Sequence, residues 1–272
     1  MPEQKDPGNR WTLADLDQAL ARCREQNRHH IACTLHVLDE YTQTREAVDA
    51  VNDAYQKTIS AISSNGLAAS VSIKLSSLGA LFDGDLALEQ TYDLCRSANK
   101  ARVGFEIDME GRGLVGAAIE AGSRCANRNL PVTLAVQAYL DRTPGDFRLL
   151  LALGIVPRLV KGAYLGDVTD VPGIQKRFLD LVLEAARFEV SFHVGTHDPA
   201  LIPRIQSLME GHRDRVTFGF LMGLADQTKL RLAGEGWQVA EYVPFGSDPG
   251  PYVARREHYL RDLEQQHQSP VP

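Results

Sequence analysis

The chain has 272 residues, 44% hydrophobic and 24% charged, an ordinary globular balance with enough apolar material for one large core. Its formal net charge of -6 argues against a general electrostatic nucleic-acid binder, and no apolar run approaches the roughly 20 residues of a membrane span. Residues 1–9 read as a disordered tail, charged where a signal peptide needs an apolar core, so a cytoplasmic protein is expected, with Cys23, Cys33, Cys95 and Cys125 as reduced core thiols.

Thr12-Leu-Ala-Asp15 reads as a capping box at the start of a first helix, with Trp11 and Leu16 spaced as its hydrophobic staple. Apolar, strand-like runs then recur at roughly 31–38, 70–75, 103–108, 131–137, 155–160, 191–196, 215–221 and 239–243. Helical patterns separate or follow them near 43–64, 85–100, 113–129, 143–153, 173–189, 198–211, 225–235 and 252–265. Thr143-Pro144 and Asp198-Pro199 each look like an N-cap followed by proline at the first helical position. Strict alternation implies parallel strands joined by crossover helices. Eight such units in this length predict a closed (β/α)8 barrel over residues 10–265, followed by a short flexible tail at 266–272. An open doubly wound sheet is the structural alternative.

At the end of the chain a strand stops at Tyr242, a Pro/Gly-rich turn follows, and a helix from Tyr252 carries Arg255 and Arg256 beside that tyrosine. Two planar donor forks suit a carboxylate or phosphate, although a solvated arginine pair is the bland alternative.

Barrel enzymes place their chemistry at the carboxyl ends of the strands. Seven of those ends, in order, are Lys74, Asp108, Gln137, Arg158, Thr196-His197, Leu221 and Tyr242. Six of the seven are polar or ionisable. Period-2 alternation puts Ser72 on the face of Lys74, Glu106 on that of Asp108, and His193 on that of His197. Gly195 and Gly219 on the inner face leave room for something flat. A Lys74–Glu106 or Lys74–Asp108 ion pair would explain part of this ring, but a ligand pocket with both signs of charge explains more of it.

Two features are weaker. Gly111-Arg-Gly-Leu-Val-Gly116 matches G-x-G-x-x-G, but the next strand ends at Gln137 rather than at an acidic residue, so it reads as a tight turn. His193 and His197 have no third partner at a convincing spacing, and no metal is expected.

Read as strings, these strand ends resemble the flavin-dependent proline dehydrogenase family. Ser72-Ile-Lys-Leu-Ser-Ser-Leu-Gly79, Phe105-Glu-Ile-Asp-Met-Glu110 and Leu134-Ala-Val-Gln-Ala-Tyr139 are similar to its second, third and fourth strand motifs. Arg158-Leu-Val-Lys-Gly-Ala-Tyr164 is similar to the fifth and is the most distinctive. Gly195-Thr-His-Asp-Pro199, Phe220-Leu-Met-Gly223 and the closing Tyr242, Tyr252, Arg255 and Arg256 follow in family order. The likeness runs from about Asn9 to Tyr259 and looks nearest to short monofunctional bacterial enzymes, since no aldehyde dehydrogenase segment follows.

The resemblance implies a distorted barrel with a helix over the site, FAD across the strand ends, and oxidation of L-proline or a close analogue. It implies electron transfer to a membrane quinone by peripheral contact, with no stable protein partner. It would make Arg255, Arg256 and Lys74 the carboxylate clamp, and Asp108 a neighbour of Lys74 near the ring nitrogen. Tyr242, Tyr252 and Leu221 would enclose the apolar ring, and Arg158 would lie at the reacting flavin edge. Lys74, Asp108, Arg158 and Tyr242 are thus the implied catalytic group. Met109, Ala135, Gln137, Val160, Lys161, Gly162, Ala163, Thr196 and His197 would line the cofactor. Three positions depart from the pattern: Leu165 replaces a frequent aromatic, Gly219 a glutamine, and Tyr259 stands where a glutamate would steady an arginine. A Schiff-base lyase using Lys74 or Lys161 and a non-catalytic flavin- or proline-binding barrel are the alternatives.

Overall fold

Helix starts are set by short polar side chains that accept otherwise unpaired backbone N–H groups. In the computed structural model, which describes residues 10–265, with side chains through Arg261, Asp15, Thr44, Asp83 and Asp170 each accept from the amide three residues on. The tails expected at 1–9 and 266–272 lie outside the described residues.

The elements are α1 (Leu16–Arg28), β1 (Ile31–Val37), α2 (Arg45–Ser64), β2 (Ala69–Ile73), α3 (Gly84–Ala101), β3 (Gly104–Ile107), α4 (Val115–Ala126), β4 (Thr133–Gln137) and α5 (Thr143–Ala152). They continue with β5 (Val156–Val160), α6 (Val171–Arg187), β6 (Phe192–Gly195), α7 (Leu201–Met209), β7 (Val216–Leu221), α8 (Asp226–Gly234), β8 (Gln238–Phe245) and α9 (Gly250–Gln265). All strand pairs are parallel and the barrel is closed, β8 meeting β1 in register from Ile31 opposite Val239 to Val37 opposite Phe245. The open sheet is therefore excluded. Outward-facing Val71, Ile107, Leu134, Leu159, Val194 and Phe218 are buried among the core residues, while Thr34, His36, Ser72, Glu106 and Arg158 are among the polar residues at inward positions. The four cysteines are free and buried.

Three local expectations shift. Asp15, not Thr12, caps α1, because Gln18 supplies the amide three residues on and the side chain that reaches back to Asp15. Thr143 lies inside α5, and its hydroxyl donates to the Gln137 carbonyl instead of capping. Asp198 accepts from the Ala200 and Leu201 amides, so it caps the turn that leads into α7. The Gly111–Gly116 stretch forms a tight helical turn running straight into α4.

The extra helix α1 is held to the barrel by charge. Glu241, on the outer face of β8 and fully buried, accepts from Arg22 Nε at 2.7 Å and Nη2 at 3.0 Å, and also from Lys229 of α8. This brace is on the outside, and Tyr242, the next residue, points inward. A cavity of about 610 Å³ opens at the amino end of the barrel, lined in part by Thr34, Ser70, Glu106, Thr133, His193 and Thr217. Among the described residues no helix is long and apolar enough to cross a membrane.

Candidate active site

Strand parity sends Ser70, Ser72 and Lys74 from β2, and Glu106 and Asp108 from β3, into the barrel, and Arg158 enters from β5. Two carboxylates thereby face one guanidinium. Arg158 Nη1 donates to Glu106 at 2.7 Å and Nη2 to Asp108. Thr34 and Ser70 donate to the other Glu106 oxygen at 2.9 and 2.6 Å, so Glu106 serves Arg158 and not Lys74.

Asp108 is the hub. It accepts from Ser72 at 3.0 Å, Lys74 at 3.0 Å, Tyr242 at 2.5 Å, and Arg158. Burial alone would raise its pKa, but Lys74 and Arg158 outweigh burial and hold the carboxyl well below the usual carboxylate range. Burial likewise works against the Lys74 charge, and Asp108 and Glu40 more than reverse it, so Lys74 is a firm ammonium. Its remaining neighbours are His36 Nε2 at 3.0 Å, Glu40 at 3.4 Å and the Tyr242 hydroxyl at 3.4 Å.

Above this cluster α9 closes the barrel mouth. Tyr252 stacks on Tyr242 with ring centroids 6.4 Å apart and planes 10° apart. Arg255 and Arg256 diverge as their helix spacing requires. Arg255 donates to Glu40 and lies 5.8 Å from the Tyr164 ring. Arg256 covers the Tyr252 ring at 5.1 Å and makes no ion pair among the described residues. Tyr259, in the place of a steadying glutamate, packs its ring 6.2 Å from His197. Arg256 is thus held by rings rather than by a carboxylate.

Five buried side-chain atoms among the described residues have no hydrogen-bond partner: Glu40 Oε2, Ser77 Oγ, Tyr164 Oη, Tyr252 Oη and Arg256 Nε. All follow strand ends or belong to α9. Buried polar groups are normally paired, and each orphan costs about 1–3 kcal/mol, so their gathering at one end marks where a polar ligand would complete the structure. Beside them the wall of β6, β7 and β8 is bare, with Gly195, Gly219 and Ala240 side by side in register. A β-carbon on Gly219 would meet nothing nearer than 3.5 Å. A flat ring system fits against such a wall.

The residues expected around a cofactor are in this region, and most of their polar atoms are engaged by the protein itself. Gln137 donates to the Glu110 carbonyl at 3.0 Å and accepts from Tyr139 Oη at 2.8 Å. Tyr139 in turn accepts from the Tyr164 amide at 2.9 Å, and its ring lies over Gly162. With φ at +130° and a ring carbon 1.7 Å from where a β-carbon would stand, position 162 has no room for a side chain. Lys161 pairs with Asp198, Thr196 accepts from the Asp198 amide at 3.2 Å, and His197 Nε2 accepts from the Leu221 amide at 3.0 Å. Burial, with Arg256 nearby, pushes His197 down to about 3, so its ring is neutral. Met109 and Ala135 are buried, Val160 and Leu221 are half-buried, and Ala163 is exposed, as is Leu165 at 84%. His193 lines the opposite, amino-end cavity, and among the described residues no three metal-ligating side chains come together.

Reading strand ends missed the contribution of β1. His36 is fully buried on its inner face, and Glu40 in the following loop joins Lys74 to Arg255. Inner-face parity of Thr34 and His36 was a usable signal. Glu110, which ends the third motif, accepts from the Ser76 amide at 3.0 Å and hydroxyl at 2.5 Å, and burial raises its pKa.

A family model described as proline dehydrogenase matches residues 19–170. Proline dehydrogenase 2 of Bacillus subtilis (strain 168) is 28% identical over 252 residues, covering 89% of this chain and 82% of that protein. Proline dehydrogenase of Deinococcus radiodurans is 29% identical over 268 residues, covering 90% and 86%. Among solved structures, proline utilization A (PutA) from Bdellovibrio bacteriovorus, inactivated by N-propargylglycine, superposes with a TM-score of 0.87 at 16% identity. That match covers 96% of this chain and 34% of the other, so this chain spans about a third of that protein. A bifunctional PutA matches with a TM-score of 0.78 at 21% identity over 92% of this chain and 30% of the other. These structural likenesses bear on the fold.

Proposed function

The chain belongs to the proline dehydrogenase family, and from that premise we propose that it oxidises L-proline, or a close ring analogue, to the corresponding cyclic imine using bound FAD. The observation that carries this reading is the cap on Asp108 and Lys74. Two stacked tyrosines make an apolar slot, with Lys74, Arg255 and Arg256 around it, the last with no ion pair among the described residues. A small apolar ring bearing a carboxylate is the chemistry such a slot recognises.

The cofactor supplies the acceptor for the hydride removed from the carbon beside the amine. The bare Gly195–Gly219 wall and the orphaned polar atoms at the same end fit a flat, polar group. Arg158 and Gln137 would border it, Met109, Ala135 and Val160 would pack on it, and Lys161, Gly162, Ala163, Thr196 and His197 would hold its remainder. This requires Lys161 to share or exchange its bond to Asp198.

The chain's own groups do the rest. Lys74 and the arginines orient the carboxylate and, as like charges near the amine, favour its loss of a proton. Asp108 fixes Lys74, Arg158 and the Tyr242 hydroxyl in one arrangement, and Arg158 stabilises negative charge arriving beside it. Tyr242, Tyr252 and Leu221 exclude water from the ring. A quinone reached by peripheral contact with a membrane takes the electrons onward, and the protein works in the cytoplasm. Lys74 is poorly suited to Schiff-base chemistry, because its carboxylate neighbours keep it protonated.

With FAD bound, the purified protein should reduce a dye or short-chain quinone only when L-proline is added, with the imine trapped as its o-aminobenzaldehyde adduct. Borohydride trapping of substrate on Lys74 or Lys161, without acceptor reduction, would instead establish the lyase.

A further inference from the structure

His36 has no place in the clamp or the cofactor contacts, yet it is completely buried at the centre of both. Its Nε2 lies 3.0 Å from Lys74 Nζ, and its Nδ1 lies 3.0 Å from the Ser72 carbonyl. An ammonium can only donate, so Nε2 must carry a lone pair. The proton is then on Nδ1, where the Ser72 carbonyl accepts it. The Tyr55 hydroxyl, 3.1 Å from Nδ1, donates to the same carbonyl at 2.7 Å and fixes the plane of the ring. The tautomer follows from its partners.

We propose that His36 is a positioning residue, which aims the Lys74 ammonium at the substrate carboxylate by accepting one of its protons as a neutral partner. The role rests on the proline oxidation proposed above. Neutrality is the point of using an imidazole here. Lys74, Arg158 and Arg255 already face three carboxylates, Asp108, Glu106 and Glu40, so these six charges cancel. A fourth carboxylate on β1 would repel the incoming substrate anion. An apolar residue would leave Lys74 free to swing between Asp108 at 3.0 Å and Glu40 at 3.4 Å. A neutral acceptor adds direction and leaves Arg256 uncompensated for the ligand.

The arrangement is sensitive to acid. The groups facing the ring are Glu40 at 3.9 Å in the loop after β1, Tyr55 of α2, Lys74 after β2, Asp108 after β3, and Tyr242 of β8 at 5.6 Å between rings. Protonation of Nε2 would set two donors face to face and expel the lysine. Burial and the Lys74 charge hold the imidazole below its ordinary value of 6.5, so the bond persists at neutral pH and fails only in more acid solution.

The test uses the FAD-loaded protein and two variants. His36→Leu removes the acceptor and is expected to raise the L-proline KM about tenfold or more, with kcat changed by less than about threefold. His36→Gln offers an amide oxygen to Lys74 and is expected to recover most of that loss. Wild-type kcat/KM should show an added acid limb below the ordinary imidazole range, and His36→Gln should lack it. Flavin absorbance and circular dichroism establish that each variant is folded. Equal KM values for the Leu and Gln variants, or an acid limb shared with His36→Gln, would overturn the role. If His36→Leu does not fold, the Gln pH profile still decides. A 15N imidazole spectrum separates this proposal from the activity it rests on. It should show the Nδ1–H tautomer in wild type and a shifted Nε2 resonance in Lys74→Met. Those signals without proline turnover would defeat the oxidation reading and the positioning role with it. Turnover without those signals would defeat His36 alone.

Discussion

Replacing Arg255 with methionine is expected to raise the L-proline KM by about two to three orders of magnitude while FAD stays bound. Arg255 reaches the site from α9 and donates to Glu40, a buried carboxylate whose second oxygen has no partner. Burial would raise the Glu40 pKa, but the Lys74 and Arg255 cations outweigh it and hold the carboxyl well below the carboxylate range. Methionine keeps an apolar stem at this position and removes the guanidinium, with its charge and its place 5.8 Å from the Tyr164 ring. The variant loses a charge-assisted contact to the substrate and leaves an anion under-compensated beside the substrate's own carboxylate. Truncating one member of a buried pair costs about 3–5 kcal/mol, enough for an effect of this size. The loss should fall on KM and on kcat/KM, because the carboxylate that the guanidinium is proposed to bind does not change during reaction. Steady-state kinetics with flavin content measured on the same samples checks it. Unchanged constants would remove Arg255 from the clamp.

Asp108→Asn is expected to lower kcat/KM by about three orders of magnitude, with kcat falling as well. The wild-type carboxylate accepts from Ser72, Lys74, Arg158 and Tyr242, and only an anion can satisfy two cations and two hydroxyls at once. An amide of the same shape must turn its NH2 toward a donor. Lys74 and Arg158 would then repel each other without their shared counter-ion, and both would leave the places proposed for them beside the substrate and the cofactor. Loss of a buried charge partner again sets a scale of about 3–5 kcal/mol. The sign of the pH effect follows from the depressed pKa. The stabilisation Asp108 provides is fully present above the unfolded-state value of about 3.9 and is lost as pH falls toward its much lower folded value. Asp108 therefore contributes no limb to the activity profile near neutrality. A kcat/KM for Asp108→Asn within about tenfold of wild type would contradict its place as hub.

Much of this architecture is legible in the chain, because barrel strands and their covering helices differ in period. The eight strands fall within a few residues of where apolar runs stand, and residues at strand ends such as Lys74, Asp108 and Arg158 meet as inner-face parity requires. What strand-end reading could not supply is pairing across the barrel. It offered Lys74 two acidic partners, and Thr34 and Ser70 decide the matter by drawing Glu106 toward Arg158. Glu40 lies beyond a strand end, in a loop, where sequence shows an unremarkable acidic residue and only the fold reveals Lys74 and Arg255 on either side. Caps were misplaced for a similar reason. Thr143 has the residue type of a cap, but its hydroxyl finds the nearer carbonyl of Gln137. Tyr259 repays its departure from the family pattern by packing toward His197, one turn beyond the arginine whose steadying carboxylate is missing.

The Tyr242–Tyr252 slot is proposed to deliver proline to a flavin against the bare wall of β6 to β8. An anaerobic absorption spectrum tests it most directly. The purified, FAD-reconstituted protein should show flavin bands that bleach on addition of L-proline and return when a quinone is admitted. A protein that takes up no flavin, or whose flavin spectrum is indifferent to L-proline, would contradict it.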